Sequence, residues 1–282
     1  MRKTIWLGVG MAVAAGSLAG AAPPQPRAGP LPSRSTPGQL WPVADSAAAP
    51  GALKAQGGEG GEAGTAALID ASSDADYAGG LAQLMALLSL ADELVEADAG
   101  KAAAACLQHA IDDLYGKLTP GLAIRKQAPF EAELKAAIAA ATGDKDGFAD
   151  ARTALEQRIK SAAPATAVGE HPPAALAVAL LTRLLAAATI EYGEAVEGKA
   201  IKLLPEYQYA YALVRAAAAQ LAGSRPDLAA KDAKALEAVA ESLAQLRSSV
   251  ADVTPEPAAL IAPAEFAAIV SRIELKASRL AN

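Results

Sequence analysis

The chain has 282 residues, a formal net charge of −6 and 52% hydrophobic residues, yet only 4% aromatic ones. Alanine supplies much of the apolar share, which favours closely packed helices, and the negative charge argues against nucleic acid as a partner. Stability must then come from many small Leu, Ile, Val and Ala contacts spread along long helices.

MRKTIWLGVGMAVAAGSLAGAAPP opens the chain, with Arg2 and Lys3 before an apolar run and small residues after it. The pattern predicts a secretory signal over residues 1–21, with cleavage at Ala19-Gly20-Ala21 or, as a rival, Ser17-Leu18-Ala19. No cysteine follows for lipidation, and losing Arg2 and Lys3 makes the mature chain more acidic still. The expectation is a periplasmic or secreted protein. Residues 22–76 are rich in Pro, Gly, Ala and Ser, with Trp41 as one large residue that could dock, and read as a disordered leader.

Helical periodicity begins near Tyr77, where Leu81, Leu84, Leu88 and Val95 recur at three, four and seven, and Gly100 supplies a stop. Further helices are predicted over 101–118 (ending before Pro120), 130–141 and 146–162, the last two separated by the TGDKDG turn. After a loop at 164–173, a long helix runs from Pro172-Pro173 through Thr189 toward Val196. Its apolar stretch is interrupted by Arg183 and looks short of a membrane span. EGKAIKLL reads as a linker, and Pro205 opens the next helix, which Arg225-Pro226 breaks. Helices over 227–250 and 263–280 complete an all-α fold of about eight helices in antiparallel bundles, without a convincing strand. The halves 77–163 and 172–282 form either two small bundles or one.

Catalytic grammar is sparse. Two histidines, no CxxCH haem attachment, no GxSxG, no phosphate loop and no HExxH leave no expectation of an enzyme, a haem or a bound nucleotide. Cys106 is the only cysteine, so no intrachain disulfide forms, and it is either a buried inert thiol or an exposed reactive one.

Two clusters carry donor chemistry. In CLQHAIDDLY, Cys106, His109, Asp112 and Asp113 fall at helical spacings of three and four, so thiol, imidazole and carboxylate share a face that would suit a borderline metal; solvated acids beside a half-exposed histidine are the plainer alternative. In IEYGEAVEGKAIKLLPEYQYAYALV, Glu191, Glu194 and Glu197 form a stripe, and Tyr207 and Tyr211 an i, i+4 pair on the next helix with Tyr209 turned to the other side. Carboxylates beside phenols suit hard metals, iron(III) included, whereas solvated glutamates and packed rings would need no ligand. His171, before Pro172 and Pro173, fits a capping or solvent-facing role.

The order Glu191-Tyr192, Ala195-Val196, Gly198, Ile201 and Glu206-Tyr207-Gln208 resembles the exported soluble segment of bacterial high-affinity iron permeases of the iron/lead family, over about residues 176–282. Related stand-alone secreted proteins are similar too; their HxxHPxxElY pattern would fall on Cys106, His109, Ala110, Asp113, Leu114 and Tyr115. Here the first histidine is cysteine, the proline alanine and the glutamate aspartate, and a preceding Gly-His-Leu is Ala86-Leu87-Leu88, so that metal site is degraded. The permeases' REGLE-type motif is missing from these residues, and transport by this chain alone is not expected. The resemblance implies an accessory or sensing protein that binds iron or another divalent or trivalent metal, or contacts an inner-membrane metal transporter. Glu191, Tyr192, Glu194, Glu206 and Tyr207 are its candidate metal residues, with His109 and Asp113 as a second site. Two rivals stand beside it. One is a structural or interaction bundle without a ligand. The other is an imelysin-like metal binder whose HxxE-type motif survives only as His109-Ala110-Ile111-Asp112.

Overall fold

Ser73 starts the first helix by accepting the Asp76 backbone N–H on its hydroxyl (3.4 Å), a role that a short polar side chain fills at a helix N-terminus. The computed structural model describes residues 70–163, 173–255 and 260–281; the predicted signal, most of the predicted leader, Trp41 and His171 lie outside them. Helix α1 (Asp74–Glu96) therefore begins a few residues before Tyr77. It is buried without a break from Ala75 to Leu88, the mark of a helix apolar on all sides rather than along one stripe.

Residues Gly100–Ile124 form one helical run in three parts: α2 (Gly100–His109), a wide π turn (Ala110–Tyr115) and α3 (Gly116–Ile124). The predicted stop before Pro120 does not occur, and Pro120 sits inside α3. Proline has no N–H to give, and the Thr119 hydroxyl donates to the Tyr115 carbonyl (3.0 Å) just ahead of it. The widened turn ends at Tyr115, about one helical turn ahead of the proline, and lets the backbone ladder change register before it. Arg125 closes the run. Its guanidinium lies over the Tyr77 ring (4.3 Å) and donates to the Ala71 carbonyl (2.8 Å), with Asp74 as its ion partner. Gly121 is required at this contact, because a Cβ there would lie 2.6 Å from the Tyr77 ring and 2.8 Å from the Ala71 carbonyl oxygen.

Helices α4 (Glu131–Ala141) and α5 (Lys145–Ala162) make a hairpin, with Asp144 capping α5 by accepting the Gly147 N–H (2.8 Å). Helix α6 (Pro173–Ala195) is followed by a two-residue antiparallel ladder that the sequence did not suggest: β1 (Val196–Glu197) pairs with β2 (Ala200–Ile201) around Gly198-Lys199. Gly198 has φ +62°, as a tight two-residue loop requires. Helices α7 (Leu204–Gly223), α8 (Arg225–Ser249) and α9 (Pro263–Ala277) follow, with the α7–α8 break at the predicted Arg225-Pro226. Helix α8 changes direction at Asp232, whose carboxylate accepts the Ala235 N–H (2.9 Å) and so caps a fresh start.

The fold is all-α, and α6–α9 form its four-helix part. Helix α1 packs on α2 and α5 on one side and on α6 and α7 on the other, so one continuous core serves both halves of the described chain. Two polar ties cross that junction. Asp76 on α1 pairs with Arg183, the residue that interrupts the apolar run of α6, and Glu93 on α1 accepts from the Tyr211 hydroxyl of α7 (2.7 Å). Contrary to the sequence expectation, α6 is long and apolar enough to cross a membrane, as is α1. In this fold, 78% of the apolar window of α1 and 56% of that of α6 are buried.

Candidate functional site

The seam between the halves gathers donors from both clusters seen in the sequence. His109 ends α2 where the π turn begins, 24% exposed, with Nδ1 2.8 Å from the Asp113 carboxylate. Its ring stacks on Tyr209 of α7, centroids 4.3 Å apart and planes 19° from parallel. Beneath the pair lies a cavity of about 10 Å³, lined by Gln83 and Leu87 of α1, His109, Leu114, Glu191 of α6, Tyr209 and Leu213. A space of that size approaches what one water needs. Glu191 and Gln83 are 4% and 3% exposed, so two polar side chains are buried beside it.

Electrostatics ties further acids to this point. Burial pulls the His109 pKa below its ordinary value, against the opposing pull of Asp113, Glu206, Asp112 and Glu194. Burial pushes the Tyr209 phenol up, assisted by Cys106, Glu206, Glu191 and Asp113, so the phenol keeps its proton at neutral pH. Glu206, in the first turn of α7, has one carboxylate oxygen sealed from water without a hydrogen-bond partner. Glu194 is exposed near the end of α6.

Of the predicted residues, the structure pairs Asp113 with His109 and sets Glu191 beside the same cavity, while Glu194 and Glu206 act on the imidazole only as more remote charges. His109 of the one predicted site and Glu191 of the other line the same small cavity. Cys106 stands beside it on α2, 2% exposed, with its thiol toward the Leu87 carbonyl (3.5 Å) and its pKa raised far by burial, which makes it an inert thiol rather than a nucleophile or a ready ligand. Asp112 faces outward and accepts from Gln108 (2.9 Å); Glu197 leaves the glutamate stripe because α6 ends at Ala195, and it pairs instead with Lys202.

Tyr192 and Tyr207 point elsewhere. The Tyr192 hydroxyl donates to the Ile261 carbonyl (2.8 Å) and accepts the Ile261 N–H (3.2 Å), and its ring stacks on Phe266 at 4.2 Å. The Tyr207 hydroxyl donates to the Asp252 carbonyl (3.1 Å). Both fasten the α8–α9 connection. Tyr209 and Gln83 are the site residues that sequence reasoning missed. Tyr209 lies two residues from Tyr207, about 200° around a helix, so an argument that chose Tyr207 necessarily turned Tyr209 away. Gln83 carried a signal, being the one polar amide in the otherwise apolar stretch of α1 from Ala78 to Leu88.

Chemically, the seam offers one imidazole nitrogen and several carboxylate oxygens, a donor set that suits a metal cation. Among the described residues, however, no three His, Cys, Asp or Glu side chains already stand at a metal-ligating spacing.

An all-α chain whose C-terminal four helices close on a shared core belongs to the helical-bundle class. Residues 169–282 match the family model described as the iron permease-associated 4-helix bundle domain, which makes this part of the chain similar to that domain. No curated protein and no solved structure matches it.

Proposed function

We propose that this protein is an exported accessory of iron transport that takes a metal cation at the seam around His109 and works beside an inner-membrane metal transporter, binding rather than catalysing. The observation that supports this reading is the His109–Asp113 pair beside the buried Glu191, which brings donors of both halves to one cavity next to the segment that matches the iron permease-associated bundle. The N-terminal charge and apolar pattern supports export.

Calorimetric titration of the purified protein with Fe(II), Fe(III), Zn(II) and Cu(II), set against a His109→Ala/Glu206→Gln variant, tests the binding half. Binding tighter than millimolar that is lost in the variant is expected, and no binding by any ion would refute it. Crosslinking to inner-membrane extract tests the partner half, with recovery of a metal transporter as the expected result.

A second reading, an interaction bundle without a ligand, is favoured by a different observation. Leu203 and Leu204, 47% and 40% exposed, stand side by side at the β2–α7 junction, while no ligating triad is preassembled among the described residues. Recovery of the transporter undiminished by metal chelation would support it.

A further inference from the structure

A larger cleft opens between α7 and the end of α8, sharing no lining residue with the cavity beneath Tyr209. Its volume is about 420 Å³, within the range that holds a small molecule, and Tyr211, Arg215, Ala244, Arg247, Ser248 and Val250 line it. The chain that leaves α8 is strapped to α7 close by: the Tyr207 hydroxyl donates to the Asp252 carbonyl (3.1 Å) and the Gln208 amide to the Val253 carbonyl (3.3 Å).

The α7 wall is oriented by α1. Tyr211 is buried, and its hydroxyl donates to Glu93 (2.7 Å). Arg215, one turn on, lies over the Tyr211 ring at 5.1 Å and donates from Nη1 to the same carboxylate (3.1 Å). That contact positions the guanidinium while Nη2 and Nε keep no protein acceptor among the described residues. Arg247 lines the cleft from the last turn of α8; it is exposed, and its side chain makes no hydrogen bond or ion pair among the described residues. The Ser248 hydroxyl donates to the Gln245 carbonyl (2.7 Å) and so has no proton to offer a ligand.

The charges select the ligand. Glu93 balances one of the two guanidinia and leaves the other, which calls for a single negative charge. A dianion such as phosphate would also meet the Glu93 carboxylate and the carbonyl end of α8, both repulsive to it. A planar carboxylate matches the fork of a guanidinium, and the Tyr211 ring, Ala244 and Val250 offer an apolar surface to whatever carries it. We propose that this cleft binds a small monocarboxylate with a flat or apolar body, held by Arg215 and Arg247. The chain as a whole carries a net charge of −6 and repels anions at long range, so such binding is a property of the cleft and not of the surface at large. Partial exposure of both arginines keeps the affinity sub-millimolar at best.

The test is a calorimetric titration of the metal-stripped protein with benzoate, with benzamide as its uncharged counterpart, and with inorganic phosphate. Benzoate should bind, and benzamide and phosphate should bind at least about tenfold more weakly. Arg215→Lys and Arg247→Lys keep the net charge and remove only the fork, and each should weaken benzoate binding about tenfold. Arg247→Lys breaks no contact among the described residues, so its melting temperature should match that of the parent protein and a loss of binding in it is not a loss of fold. Asp113→Asn, on the far cluster, should leave benzoate binding unchanged. Failure of millimolar benzoate to bind, equal binding of benzamide, preference for phosphate, or binding indifferent to both lysine substitutions would overturn the inference.

Discussion

Tyr192→Phe separates a ligand from a fastener. The substitution keeps the ring and its 4.2 Å stack on Phe266 and removes only the hydroxyl, which serves the Ile261 carbonyl at 2.8 Å and the Ile261 N–H at 3.2 Å. Each hydrogen bond lost at a part-buried backbone group costs about 1 kcal/mol, so the pair amounts to about 2 kcal/mol. For a domain of this size, that lowers the thermal midpoint by about 4–8 °C. Circular dichroism melting reads the shift, and a parallel Fe(II) titration reads the other half of the expectation, an unchanged affinity. If the midpoint held while affinity fell tenfold, the hydroxyl would be a ligand and the assignment of Tyr192 to the α8–α9 connection would fail.

Other consequences are as direct. Because burial holds His109 below its ordinary pKa near 6.5, the unfolded chain binds that proton more readily, and the stability present above that value is lost as pH falls through it toward the folded pKa. Melting of the metal-free protein from about pH 7.5 down to about pH 5.5 should show this loss, reduced in His109→Gln. Cys106, 2% exposed and raised in pKa, should resist a thiol reagent in the native protein and react at once in denaturant; fast native labelling would contradict its placement. Gly121→Ala brings a methyl within 2.6 Å of the Tyr77 ring and should destabilise the protein by about 1–3 kcal/mol in chemical denaturation, whereas a neutral effect would mean that the α1–α3 contact yields easily.

Much of the architecture was legible along the chain. Gly100, the TGDKDG turn, Pro205 and Arg225-Pro226 punctuate the helices in the structure as they do in the sequence, because their backbone constraints are local. Pro120 misled for the complementary reason: a local rule that ends helices was overridden by a widened turn and a threonine hydroxyl. The β1–β2 ladder escaped notice because two residues per strand carry no periodicity.

The site was half legible. Residue types drew attention to His109, Asp113 and the glutamates, but spacing along one helix cannot reveal that α2 and α6 meet at α7. The choice of Tyr207 over Tyr209 depended on which face of α7 the halves share, a fact of packing alone. Glu191, offered by the sequence as a ligand or else as a solvated acid near a helix end, is buried, and the cavity beneath Tyr209 beside it is bounded by α1, a helix more than a hundred residues away in sequence.

Because the imidazole comes from α2 and Glu191 from α6, with α1 packed against both, a cation bound there as proposed would act as a removable rivet between two stretches of chain. Occupancy and closure of the seam are then thermodynamically reciprocal: whatever pries the halves apart lowers the affinity, and whatever fills the seam resists prying. A docking event that strained the α1–α6 tie at Asp76 and Arg183 would thereby loosen a ligand held some turns further along the same helices, so release could be driven from outside without any group touching the ion.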